Sequence, residues 1–162
     1  MIFSTSKGAI VEYDLTHKRI AGTYPNLDKA SSILEIGHDS LFSGNHLGVI
    51  HQYSLLNRNL LHSYSNQHIS PITSLALFSD NKTLISSDKS GYIVKWAPPH
   101  PTPSTPPHRI FTSPILKLLL TPNNKYLIII GKNPGHLLQL NPENYSTIKN
   151  FNYLTQTPIT AA

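Results

Sequence analysis

The sequence predicts an all-β fold built from about four copies of a four-stranded antiparallel unit. Two registers of internal repetition and the absence of helical periodicity predict it. Gly8 opens GAIVEYDL, Gly48 opens GVIHQYSL, Gly91 opens GYIVKWAP and Gly135 opens GHLLQLNP. The glycines recur at intervals of 40, 43 and 44 residues, and the large residues Tyr13, Tyr53, Trp96 and Leu140 repeat with the same spacing. That is the period of one four-stranded blade. Ser70-Pro71-Ile72, Ser113-Pro114-Ile115 and Thr157-Pro158-Ile159 recur at 43 and 44 residues, while Asp80-Asn81-Lys82 falls on Asn123-Asn124-Lys125. No run of ten or more residues carries a helical stripe.

The strand and turn chemistry of each repeat follows in order. LALF and LLLTP are short apolar runs, SDNK and PNNK are hairpin turns, and TLISS and YLIII are second strands. A glycine opens each third strand because the tight turn before it favours positive φ, which a residue with Cβ adopts only at a cost. The chain therefore reads as β-propeller blades of four antiparallel strands. Met1 to Ser6, Ala9 to Leu15 and Arg19 to Tyr24 are strands b, c and d of a first blade within 1–29. Blades two, three and four follow at 30–67, 68–112 and 113–154, and 155–162 opens a further strand a. A piece of a larger propeller, an assembly completed by another chain and a self-closed four-bladed ring all fit this pattern. In the closed arrangements 157–162 is expected to pair beside Met1 to Ser6.

Residues 68 to 96, HISPITSLALFSDNKTLISSDKSGYIVKW, resemble the WD-repeat family: a His precedes strand a, an Asp-Asn-rich turn joins a to b, and strand c ends in Trp. The resemblance implies a buried hydrogen-bonded set of His, Ser or Thr, Asp and Trp, with the Asp just before the turn glycine. His68, Ser86 and Trp96 fit it, but Ser90 stands at the expected Asp position, where the other repeats have Lys7, Leu47 and Pro134. The polar set is therefore expected to be incomplete in every blade, leaving apolar packing between neighbouring sheets to hold the array. Trp96 is expected to be buried against a neighbouring blade.

Composition narrows the function. Zero cysteines exclude disulfide frameworks, thiolate metal sites and cysteine nucleophiles. MIFSTSKGAI opens without a basic region followed by an apolar core, so a cytoplasmic or nuclear home is expected, with no membrane insertion. The nine histidines form no His-Glu-x-x-His, and His46 and His51 lie across a hairpin with no acidic residue in register, so no metal site is expected. Eight Asp plus Glu, mostly in turns, leave few carboxylates to gather at an axial mouth, and neither a Gly-x-Ser-x-Gly elbow nor a phosphate-binding glycine loop is present. The sequence thus predicts neither an enzyme nor a cofactor, and a propeller enzyme, which would require convergent polar groups at the axis, is the lesser alternative.

What remains is binding. Rigid loops on two faces and buried strands suit a scaffold that holds other proteins, one of which completes the propeller in one of the readings above. A net charge of +5 keeps RNA as an alternative partner, although only 13% of residues are charged and Lys18-Arg19 is the only adjacent basic pair. APPHPTPSTPP, residues 97–107, breaks the repeat with six prolines and reads as an exposed loop between strands c and d of blade three. Pro98-x-x-Pro101 and Pro103-x-x-Pro106 are docking candidates. Thr102 and Thr105, each followed by a proline, are candidate phosphorylation sites.

Overall fold

The computed structural model describes residues 1–5, 7–25, 31–132 and 136–151 and forms four antiparallel sheets. In blade one, β1 (Ile2–Ser4), β2 (Ile10–Asp14) and β3 (Arg19–Tyr24) make a three-stranded sheet. Blade two contains β4 (Ser31–Ile36), β5 (Ser40–Asn45), β6 (Ile50–Ser54) and β7 (Leu60–Tyr64). Blade three contains β8 (Ile72–Leu77), β9 (Leu84–Asp88), β10 (Tyr92–Trp96) and the two-residue β11 (His108–Arg109). Blade four contains β12 (Ile115–Leu120), β13 (Leu127–Gly131), β14 (Leu137–Leu140) and β15 (Thr147–Asn150). Each sheet is a meander of sequence neighbours, so the array is an all-β set of propeller-type blades.

Turn chemistry repeats with the blades. Gly8, Gly48 and Gly91 sit at φ of 82°, 80° and 86°. A Cβ on Gly91 would lie 2.1 Å from the Phe111 carbonyl oxygen, so both its conformation and its space require glycine. Gly135 lies outside the described residues, as do 152–162, and with them the expected pairing of 157–162 beside Met1 to Ser6. Asn81 and Asn124, in the a–b turns of blades three and four, both adopt a φ of 56°. The side-chain oxygen of Asn81 accepts from the His38 N–H at 3.0 Å, and that of Asn124 accepts from the Ser79 N–H at 3.2 Å. Each turn therefore clips its blade to the one before it.

Alternation along the strands fills three interfaces. Ile10, Tyr24, Leu41 and Tyr53 pack blade one against blade two. Phe42, Ile50, Tyr64, Leu75, Val94 and Trp96 pack blade two against blade three. Ala76, Phe78, Ile85, Ile93, Ile115 and Leu127 belong to the cluster between blades three and four. Strand a of blades two, three and four (β4, β8 and β12) lies innermost, and a bulge near its start recurs at Ser31/Ile33, Ile72/Ser74 and Ile115/Lys117. In blade three the bulge frees Ser74 Oγ to accept the Leu118 N–H of blade four at 3.0 Å.

Candidate functional site

A buried polar cluster lies within blade three. His68 precedes β8 and is buried, with Nδ1 2.8 Å from Asp88 Oδ2 and Nε2 2.6 Å from Ser86 Oγ. The Trp96 indole N–H donates to the same Ser86 hydroxyl at 2.8 Å. Asp88 Oδ1 meanwhile accepts the N–H groups of Ser90 and Tyr92 at 2.9 and 3.0 Å, which closes the b–c turn. One carboxylate thus ties the turn to the histidine. This corrects the expectation that Ser90 stands at the acidic position and that the set is incomplete in every blade. Asp88, at the end of strand b and three residues before Gly91, supplies the acid, and Ser90 only donates its backbone N–H.

Repeat-equivalent positions show how the set decays. In blade two Asn45 replaces Asp88, and its Oδ1 accepts from Leu47 and Val49 N–H, both at 2.9 Å, so the turn-closing role survives. Tyr53 replaces Trp96 and donates its hydroxyl to the Pro25 carbonyl at 3.0 Å. In blade four Phe111, Ile129, Gly131 and Leu140 hold the places of His68, Ser86, Asp88 and Trp96, and the polar set has become apolar core. The Asn45 signal was visible in the sequence as an Asn/Asp shared three residues ahead of Gly48 and Gly91.

These residues serve the fold. Trp96 is 1% exposed, and its ring meets Tyr64 of blade two edge-on with centroids 5.4 Å apart. Tyr24 and Tyr53 make the same contact one blade earlier, at 5.6 Å. His51 is buried, its Nδ1 2.9 Å from Ser63 Oγ, and His46 on the other side of the hairpin is exposed. Among the described residues no group of three or more His, Asp or Glu could hold a metal. No helix among them is long and apolar enough to cross a membrane.

The Pro-rich segment departs from an exposed loop. Pro98 is half-buried, while Pro101, Thr102 and Pro106 are exposed. Pro103, however, bridges Trp96, and Ser104 N–H donates to the Lys95 carbonyl at 2.8 Å. The second half of 97–107 thus runs beside β10 in the place of a strand d and leads into β11. The Thr105 hydroxyl is buried, as is that of Tyr145. Of the two candidate phosphorylation sites, Thr102 alone presents an open surface.

Two connected clefts run along the inner strands. The first, about 530 Å³, lies between Leu34, Glu35, Leu75, Leu77, Lys117 and Leu119. Burial raises the Glu35 pKa, against the opposing pull of the Leu77 N–H, which donates to Oε1 at 3.3 Å, and of Lys117. The second, about 350 Å³, carries Lys89 and Lys132 at its mouth and shares Ile33, Thr73 and Leu116 with the first.

Fold and clusters together define an array of β-propeller blades. A chain in the crystal structure of the mitotic checkpoint complex has this fold, with a TM-score of 0.80 and 17% sequence identity over 90% of this chain and 47% of that one. This chain therefore spans about half the length of the solved chain it matches. At that identity the likeness establishes the fold. No protein-family model and no curated protein matches the sequence.

Proposed function

We propose that the chain is a non-catalytic scaffold that holds other proteins in a larger assembly. The carrying observation is the outward face of blade four. Leu127 and Ile129 point into the cluster shared with blade three, so Ile128 and Ile130 alternate to the opposite face, which belongs to no core cluster of the described residues. Leu137 of β14 joins them, and Leu119 and Ile148 are 47% and 50% exposed. Strands apolar on both faces suit a sheet covered on both faces. Every internal interface packs the following face of one blade on the preceding face of the next, and an apolar β surface of a partner protein fits this face in the same way. The solved chain of the same fold belongs to a multiprotein complex, which agrees with this reading.

RNA has less support as the partner. Lys82 and Lys125 precede β9 and β13 whereas Lys89 and Lys132 follow them, so the cations are divided between opposite ends of the blades. Arg58 and Lys95 are tied to Glu12 and Glu143. A photocrosslinking side chain at Ile130, with Lys82 as the control position, tests the scaffold reading in the native complex. A defined protein adduct at Ile130 that Ile130→Glu abolishes supports it. A chain that runs as a monomer with no adduct at Ile130 overturns it.

A further inference from the structure

Lys89 and Lys132 occupy the same repeat position, one residue past the ends of β9 and β13. Each backbone is pinned alike: Lys89 N–H donates to the Pro71 carbonyl and Lys132 N–H to the Pro114 carbonyl, both at 2.9 Å. Both side chains are exposed, and both line the cleft of about 350 Å³ whose floor is Ile33, Ile72, Ile115 and Leu116. Among the described residues neither lysine is in an ion pair, whereas Lys95 of the same blade is bound to Glu143. The sequence has 13 Lys plus Arg against 8 Asp plus Glu, and this cleft holds two of those cations over an aliphatic floor.

We propose that this cleft binds an acidic peptide segment in which an aliphatic residue is flanked by carboxylates. The carboxylates meet the two ammonium groups, and the aliphatic side chain fills the floor between Ile33 and Leu116. The lining contains no aromatic ring on which a base could stack, and sequence-tolerant binding of single-stranded nucleic acid relies on such stacking. Deeper along the inner strands the charges of Glu35 and Lys117 face the same cleft and offset each other, so the attraction for carboxylates is concentrated at the two lysines of the mouth. The proposal rests on the reading of the chain as a protein-binding scaffold and names one class of its partners.

The test titrates the full chain against a labelled peptide with a leucine between two glutamates, its diglutamine counterpart, and an oligouridylate of about 8 nucleotides. The acidic peptide is expected to bind at least about fivefold tighter than the neutral one, and to weaken as salt rises from about 50 to about 300 mM. Lys89→Gln with Lys132→Gln is expected to weaken it by about five- to tenfold, roughly the contribution of two exposed ion pairs. Lys82→Gln with Lys125→Gln, at the other end of the blades, leaves it unchanged. Matching melting curves show that each variant is folded, as expected for exposed side chains. The proposal is overturned if the acidic peptide does not bind, if the neutral peptide binds equally, if the Lys89/Lys132 variant is unaffected, or if the oligouridylate binds better through the same lysines. None of these outcomes bears on the crosslink at Ile130, so the scaffold reading is judged separately.

Discussion

Phe111 and Gly131 are matched in blade four: a Cβ built on Gly131 would lie 2.8 Å from two ring carbons of Phe111. The pair stands where His68 and Asp88 face each other in blade three, so a large apolar ring and an absent side chain replace a hydrogen-bonded pair. Gly131→Ala forces the buried ring to move, and a cost of about 1–3 kcal/mol is expected from overpacking. Phe111→Leu opens the space. The double variant should therefore lose less stability than the two single losses added, a coupling measurable from urea unfolding midpoints.

The tie between Asp88 and His68 predicts an asymmetry between two neighbouring turn residues. Asp88→Ala leaves the buried His68 Nδ1 and the Tyr92 N–H without their acceptor, while the Ser90 N–H keeps only Ser70 Oγ at 3.1 Å, and the expected loss is about 3 kcal/mol. Ser90→Ala removes only a side chain, with an expected change within about 0.5 kcal/mol. Thermal unfolding of the two variants separates them. Equal effects would return the acidic position to residue 90.

The same pair shows where the sequence could be read and where it could not. Glycine spacing and the recurring Asn-Lys turns exposed the blade period, because turn geometry is local and admits few residue types. The placement of the acid needed more. Whether Asp88 or residue 90 reaches His68 depends on how the b–c turn folds back, and the cue lay in Asn45, which closes the equivalent turn of blade two. The replacement of the polar set by Phe111, Ile129, Gly131 and Leu140 was hidden for another reason: each residue is ordinary alone, and only cross-strand register brings the four together. Nor did the run of prolines announce that Ser104 donates to Lys95, since proline content argues against strand pairing and says nothing of which residue among them pairs its N–H with a neighbouring strand. The paired lysines of the cleft were readable only as scattered charge, because their proximity is a product of blade stacking.

Glu35 makes stability depend on pH. Burial raises its pKa in the folded state above the ordinary value of 4.5. The folded chain therefore holds this proton at pH values where the unfolded chain has lost it. Its contribution to stability is greatest below pH 4.5 and falls as pH rises through the raised value. Glu35→Gln removes the charge but keeps a side-chain oxygen able to accept the Leu77 N–H. The variant is expected to melt higher than the parent at pH 7, with the difference shrinking toward pH 4. A difference that grows on acidification would show that the ionised form is the one the fold favours.

The Pro-rich segment should divide into a tolerant half and an intolerant half. Pro99, His100, Pro101 and Thr102 are exposed, and the one backbone bond among them runs from His100 N–H to the Ala97 carbonyl within the turn. Replacing these four by a Gly-Ser linker of equal length is expected to change stability by less than about 1 kcal/mol, the penalty being the added freedom of the unfolded chain. Ser104 is different, because its N–H is the ladder bond to Lys95 and its neighbour Pro103 bridges Trp96. Ser104→Pro deletes that donor and leaves the Lys95 carbonyl without its partner, at an expected cost of about 1–3 kcal/mol. The loss should also appear locally. Trp96 lies next to the broken bond, so its fluorescence should shift toward that of a hydrated indole in Ser104→Pro and stay unchanged in the linker variant. If both variants leave stability and emission as they were, the pairing of residues 103 and 104 with β10 contributes nothing, and the whole segment is a free loop.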